Sequence, residues 1–172
     1  MEIQEERAIE ILNLMCKNSG CVISDSGGKD SSIIKHIAEK CRERYGLKYS
    51  IQHNHTTVDA PETVHFIRDE MARYTRAGIE YKIIYPRKTM WQLIVDHLTP
   101  PTRLMRYCCA DLKEYSGFGE KLVTGVRKAE SKNREKNQGT VTVPKPKSEL
   151  KKIAQNNENF ILTDKGGWCF LI

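Results

Sequence analysis

The chain has 172 residues and a formal net charge of +6, and 39% of its residues are hydrophobic. This length suffices for one well-buried core, and no repeat or linker-like stretch suggests more, so we expect a single domain over residues 1–172. No apolar run reaches the roughly 18 residues of a membrane span, and the acidic start lacks the basic and apolar regions of a signal peptide, which predicts a cytoplasmic protein with no membrane partner. The cysteines lack the regular spacing of a disulfide-bonded secreted protein, so we expect reduced thiols.

Apolar residues recur along the chain with alternating helical and strand periods. The expected elements, in chain order, are helix 5–16, strand 21–25, helix 30–45, strand 48–53, helix 61 to about 78, strand 81–85, helix 89–98, helix 106–115 and strand 121–126. Ile33 and Met71 fall on the predicted inner faces of their helices. A short hairpin is expected at about residues 160–172. This alternation predicts an α/β fold, with an open, mostly parallel twisted sheet and helices on both faces.

A glycine-rich loop follows the first predicted strand and opens the second helix. It reads Ser26-Gly-Gly-Lys-Asp-Ser31. Adjacent glycines permit positive φ, the helix directs its positive end at the same place, and Lys29 adds a cation, so the loop is suited to a polyphosphate. The Walker pattern does not fit, because Asp30 follows the lysine, and the dinucleotide pattern does not fit adjacent glycines. The alternative is a turn into a helix capped by Asp30 or Ser31, with no ligand.

Three ordered segments carry a family resemblance. The hexapeptide at 26–31 resembles the PP-loop of the ATP pyrophosphatase, or adenine nucleotide alpha hydrolase-like, superfamily. The runs 103–113 and 124–134 resemble the Arg-x-Cys-Cys-x-x-Leu-Lys and Gly-x-Arg-x-x-Glu-Ser-x-x-Arg motifs of the phosphoadenosine phosphosulfate (PAPS) reductase family. Residues 56–63 resemble its Asp-Thr-Gly-x-x-x-Pro-Glu-Thr stretch in part, with His55 and Thr57 where the family has Asp and Gly. The resemblance covers residues 20 to about 135 and implies a Rossmann-like three-layer fold and a role in sulfur metabolism.

The resemblance implies a site for ATP or an adenylyl sulfate (PAPS or APS), with Mg²⁺ accompanying ATP and cleavage at the α-phosphate releasing pyrophosphate. Lys29 and Arg127 would be the catalytic residues, offsetting developing charge. The implied nucleotide-binding residues are Ser24, Ser26, Gly27, Gly28, Lys29, Asp30, Ser31, Thr57, Asp59, Arg106, Lys113, Gly125, Arg127, Glu130, Ser131 and Arg134. Arginine forks can hold phosphate or sulfate bidentately. The alternative is that Arg127 and Arg134 pair with Glu130 on one helix face.

Metal and thiol chemistry receive less support from the sequence. In iron-sulfur members of the family, a pair like Cys108 and Cys109 joins a later Cys-x-x-Cys to hold a 4Fe-4S cluster. Here only Cys169 follows, so we expect no cluster and two buried helical thiols instead. His53 and His55 could bind a metal, but with no third ligand in view we expect them to line the site or the surface. No metal ligand is therefore assigned.

Two other functions stay open. The family's reductases use a cysteine in a carboxyl-terminal Glu-Cys-Gly-Ile/Leu-His segment, and the sequence reaches Ile172 without one. A thiol-dependent PAPS or APS reductase would need Cys169 or a thiol-donor partner protein as its nucleophile. The other function is a non-catalytic nucleotide-sensing module that associates with nucleic acid through residues 127–152. This segment contains nine Lys or Arg and three Glu. That basic segment is equally read as a solvated loop, and a homo-oligomer is compatible with either function.

Overall fold

The computed structural model describes the backbone of residues 2–113, 121–125, 141–142 and 169–171, and the side chains of 5–113 and 121–125. Its elements, in chain order, are α1 (Glu2–Cys16), β1 (Cys21–Ser24), α2 (Lys29–Tyr45), β2 (Tyr49–Asn54), α3 (Pro61–Arg76), β3 (Tyr81–Ile84), α4 (Met90–His97), α5 (Tyr107–Leu112), β4 (Leu122–Thr124), β5 (Val141–Thr142) and β6 (Cys169–Leu171). Each predicted helix and strand from residue 5 to residue 126 has a counterpart, with ends that differ by a few residues.

The strands form one sheet in the order β3-β2-β1-β4-β6-β5. All neighbouring pairs are parallel except β5 with β6, which is antiparallel. The predicted α/β class with a mostly parallel sheet is therefore confirmed, and it is consistent with a three-layer Rossmann-like fold. The predicted terminal strand is β6, paired with β4 on one side and β5 on the other, and the turn of the predicted 160–172 hairpin lies outside the described residues.

The core lies between β1 and the helices that pack on the sheet. Ile9 and Leu12 of α1, Ile34 and Ala38 of α2, and Ile23 of β1 are all at most 2% exposed. They belong to one buried cluster, and burial of such side chains from water is the main favourable contribution to folding. None of the helices in the described ranges is long and apolar enough to cross a membrane.

Two predicted inner-face residues point outward instead. Ile33 is 57% exposed and Met71 is 38% exposed. The buried positions of α2 recur with the three- and four-residue spacing of one helix face. They are Ser31, Ile34, Lys35, Ile37, Ala38 and Cys41. Ile33 lies beside this face, and the inward position that follows Ile34 is occupied by a lysine.

Candidate functional site

The glycine loop lies where the direction of strand succession in the sheet reverses. β1 pairs with β2 on one side and with β4 on the other, and the chain moves outward from β1 through β2 to β3 before returning to β4. The loop joins β1 to α2, so it lies at the carboxyl end of β1. Ligands of open α/β sheets bind at such a reversal point, beyond the carboxyl ends of the strands.

The loop presents the beginning of a long helix with no side-chain cap. Gly27 has a φ of +71°, and Gly28 is the N-cap of the 17-residue helix α2 without a side-chain hydrogen bond to the cap. The first N–H groups of a helix have no partner within it, and the helix dipole is positive there. Gly28 occupies the N-cap position, so the part of the alternative that makes Asp30 or Ser31 the cap is wrong.

Two close backbone approaches explain why the loop and its neighbour carry glycine. A Cβ on Gly125 would lie 2.8 Å from the carbonyl oxygen of Asp30, and a Cβ on Gly27 would lie 3.2 Å from side-chain atoms of both Thr63 and Ile67. Gly125 thus places the end of β4 against the first turn of α2, and Gly27 places the loop against α3. The predicted site residue Gly125 is therefore adjacent to the loop.

A buried carboxylate that the sequence analysis missed organises the loop from within. Asp25 Oδ1 accepts a hydrogen bond from the N–H of Gly27 (2.9 Å) and lies 2.9 Å from the Ser31 hydroxyl. Its Oδ2 accepts from Lys35 Nζ (2.6 Å) and from the Tyr81 hydroxyl (2.8 Å). Burial alone would raise the pKa of Asp25, but the hydrogen bonds from Lys35 and Gly27 outweigh it and lower the pKa below its ordinary value.

Lys35 connects this carboxylate to α3. Its ammonium donates to Glu70 Oε2 at 2.7 Å as well as to Asp25, and Arg73 Nε lies 3.0 Å from Glu70 Oε1. The Lys35 side chain is only 2% exposed. A lysine on the apolar face shared with Ile34 was the available sequence signal, since buried lysines are nearly always paired.

The other polar side chains of the loop remain accessible. Ser26, Gly28 and Lys29 are exposed, and Ser24 and Asp30 are half-buried. The Ser26 hydroxyl lies 3.3 Å from the Ser31 hydroxyl and accepts from the N–H of Gly28 at 3.4 Å. The structure therefore brings together all the predicted residues from Ser24 to Ser31.

The segment after β2 forms a second loop at the same edge of the sheet. Thr57 has a φ of 66°, so it adopts the left-handed conformation that suits the glycine of the family motif. Its N–H donates to His55 Nδ1 (2.9 Å), and its Oγ1 accepts from the N–H of Met90 (2.9 Å). Asp59 accepts from both the N–H and the hydroxyl of Thr56. Burial alone would raise the pKa of Asp59, but these hydrogen bonds oppose that effect, and the net pKa lies below its ordinary value.

The histidine pair has structural partners. His53 is buried, with Nδ1 2.8 Å from the carbonyl oxygen of Asp25, and since a carbonyl can only accept, Nδ1 carries the proton. His55 stacks on Tyr85 with ring centroids 5.1 Å apart. Among the described side chains, no group of three or more His, Cys, Asp or Glu is placed to hold a metal ion.

Helix α5 carries the predicted residues Arg106 and Lys113 at its two ends, both exposed. The carbonyl of Lys113 accepts from Asn54 Nδ2 at 2.9 Å, which attaches this helix end to the carboxyl end of β2. Arg106 Nη2 lies 3.3 Å from Cys109 Sγ. Cys108 and Cys109 were expected to be buried, but both are half-buried. Partial burial is the main cause that raises the pKa of Cys108, and the electrostatic effect of Cys109 is the second.

The remaining predicted residues are Arg127, Glu130, Ser131 and Arg134, which lie outside the described residues, as does most of the basic segment 127–152. The backbone of Cys169 is described and is in register with Leu122, the first residue of β4. Cys169 is thus at the amino end of the β4–β6 pair, while the glycine loop lies at the carboxyl edge.

Comparison with known proteins identifies the family but not a specific relative. Among curated proteins, none matches the chain significantly. A family model, the phosphoadenosine phosphosulfate reductase domain, matches residues 20–152. The match includes the glycine loop, the loop after β2, α5, and the strand β4 with the Gly125 that follows it. Because it spans well over half of the 172 residues, the chain belongs to the phosphoadenosine phosphosulfate reductase domain family.

Proposed function

We propose that the glycine loop binds the phosphate or sulfate groups of an adenine nucleotide, either ATP or an adenylyl sulfate such as PAPS or APS. The observation that carries the proposal is the start of α2 at the reversal point of the sheet, where the N-cap residue Gly28 provides no side-chain hydrogen bond. Such a helix start binds anions through its N–H groups and its dipole. Membership of a family described by its sulfonucleotide substrate supports the same ligand class.

The loop residues and Arg127 of the family motif would each contribute to binding the anionic groups of the nucleotide. Gly28 and the N–H groups that begin α2 would bind phosphate oxygens. The N–H of Gly27 and the hydroxyl of Ser31 donate to Asp25, so they would hold the loop in shape around the ligand. Lys29, which is exposed beside them, would neutralise charge, together with Arg127. Mg²⁺ would arrive with ATP, held mainly by phosphate oxygens. If the protein is catalytic, the step is attack at the α-phosphate with release of pyrophosphate, whose developing charge these cations would stabilise.

Calorimetric titration with ATP, PAPS and APS tests the proposal. We expect at least one of them to bind the parent protein, and Lys29→Ala to weaken binding about tenfold or more through loss of a charge-assisted contact. Lys17→Ala is the matched control, because Lys17 is also exposed but lies before β1, at the opposite end of that strand. Absence of binding by all three nucleotides, or equal losses in the two variants, would contradict the proposal. Arg127→Ala extends the test to the second proposed catalytic cation.

A thiol-dependent sulfonucleotide reductase is the second candidate, favoured by the family's name. The position of Cys169 at the amino end of β6 argues for a thiol supplied by a partner rather than by this residue. Sulfite release from PAPS or APS, assayed with thioredoxin, tests this candidate, and Cys169→Ser should then leave the rate unchanged. Nucleotide binding without either sulfite or pyrophosphate release would instead indicate a sensing module.

A further inference from the structure

We propose that Lys35 is a positioning residue for the glycine loop: it keeps Asp25 in the carboxylate form that fixes the loop, and it offsets that negative charge so that the loop can accept a polyanion. The effect of Lys35 on polyanion binding rests on the proposed function, whereas its effect on the ionisation of Asp25 concerns the loop alone. Nothing in the family motifs quoted above includes either residue.

The carboxylate of Asp25 is hydrogen-bonded directly to two residues of the glycine loop. Gly27 N–H and the Ser31 hydroxyl each lie 2.9 Å from Oδ1, and the Asp25 side chain is fully buried. The carboxylate therefore holds the loop in its observed shape. It also places a buried negative charge close behind the proposed anion site. Little water screens this charge, so without a positive partner it would repel the ligand.

Lys35 supplies the opposite charge at the other oxygen of the same carboxylate. Its Nζ lies 2.6 Å from Oδ2 of Asp25 and 2.7 Å from Oε2 of Glu70, and Glu70 is paired in turn with Arg73. Four charges of alternating sign thus run from the loop to the surface of α3, and their sum is zero. The charge that the loop presents to a ligand is then determined by Lys29 and Asp30.

The groups that face Asp25 come from each element packed around it. They are Lys35 from α2, His53 from β2 through the Asp25 carbonyl, Tyr81 from β3 and, behind Lys35, Glu70, Arg73 and Tyr74 from α3. Of these, only Lys35 brings a positive charge into contact with the carboxylate. Removing it leaves burial opposed only by the hydrogen bonds from Gly27 and Tyr81, so the pKa of Asp25 would rise.

The decisive comparison is between Lys35→Met and the double variant Asp25→Asn/Lys35→Met. The single variant leaves an uncompensated buried carboxylate. The double variant removes both charges, and its amide can still accept from Gly27 and donate to the Tyr81 oxygen. At pH 7.5 we expect Lys35→Met to bind ATP about tenfold or more weakly than the parent, and the double variant to recover within about threefold of it.

The pH dependence separates this role from simple loss of structure. As the pH falls to 5.5, Asp25 in Lys35→Met gains a proton and its repulsion disappears, so the affinity ratio of parent to variant should shrink toward one. Lys40→Met removes a half-buried lysine of α2 that pairs with Glu5 of α1, and it should leave the ratio at one throughout. An undiminished ratio at pH 5.5 together with no rescue by the double variant would overturn the proposal.

A ligand-free measurement keeps the proposal distinguishable from the proposed function. The amide of Gly27 reports the ionisation of Asp25 through their hydrogen bond, and its NMR shift can be followed from pH 4 to pH 8. We expect no titration in the parent and a clear titration in Lys35→Met. If the parent amide titrates above pH 5, the charge role of Lys35 is wrong, whether or not any nucleotide binds and whether or not the variant folds. Failure of the parent to bind nucleotide, with these NMR results obtained, would refute only the function.

Discussion

Gly125 and Thr57 define the two ends of the candidate site through backbone geometry. At Gly125 the first turn of α2 approaches so closely that a methyl group would lie 2.8 Å from a carbonyl oxygen. At Thr57 the chain adopts a φ of 66°, which costs a β-branched residue on the order of 1 kcal/mol. The hydrogen bond from Met90 to its hydroxyl gives the threonine a role that glycine could not fill.

The contact at Gly125 yields a prediction at the residue scale. Gly125→Ala must displace β4 from α2, so we expect it to lower the free energy of unfolding by about 1–3 kcal/mol and to weaken nucleotide binding. Gly78→Ala is the control: its φ of +73° makes alanine unfavourable, but nothing lies within 4 Å of the added Cβ. Urea denaturation and calorimetry on both variants check the prediction. Equal nucleotide affinity in the two variants would argue against a contact that shapes the site.

Helix α4 illustrates how a short element is positioned at this edge. Thr89 and Gln92 form a complete capping box, in which each side chain satisfies a backbone N–H of the other residue. Met90, which directly follows Thr89, donates its N–H to Thr57 Oγ1. The start of α4 is therefore attached to the loop after β2, and the cap orders both segments.

At the element scale, removal of this cap should be measurable. Thr89→Ala loses the oxygen that accepts from Gln92, and we expect it to lower the free energy of unfolding by about 1 kcal/mol. Thr89→Ser keeps the hydroxyl and should remain close to the parent. Urea denaturation followed by far-UV circular dichroism distinguishes them. A serine variant as unstable as the alanine variant would mean that the methyl group, rather than the cap, is responsible.

For the whole molecule, the packing of α1 on α2 and the sheet contributes much of the described core. Leu12→Ala removes a side chain that is 1% exposed, and we expect a loss of about 2–5 kcal/mol in the free energy of unfolding from lost burial and the remaining cavity. Leu14→Ala, on the same helix but 79% exposed, should change it by less than about 0.5 kcal/mol. Thermal and urea denaturation measure both. Similar losses would show that α1 does not pack as described.

The sequence was sufficient to predict features with a local signal. Helical and strand periods identified the elements up to β4, and the hexapeptide after β1 identified the loop, because turn and periodicity rules operate over a few residues. The Asp25–Lys35 pair was not predicted, because its partners Glu70 and Tyr81 are distant in the chain and only the tertiary fold brings them together. Ile33 was misplaced for a related reason: periodicity alone did not decide which of two adjacent isoleucines faces inward.

The strand order has a consequence for how the molecule folds. β1, β2 and β3 are neighbours both in the chain and in the sheet, so their pairing closes only short segments. β4 pairs with β1 only across the intervening residues 25–121, and closing a loop about four times longer costs roughly 1 kcal/mol more in chain entropy. We therefore expect the half that contains the glycine loop to assemble early and the β4–β6–β5 side to join it in a later, slower step.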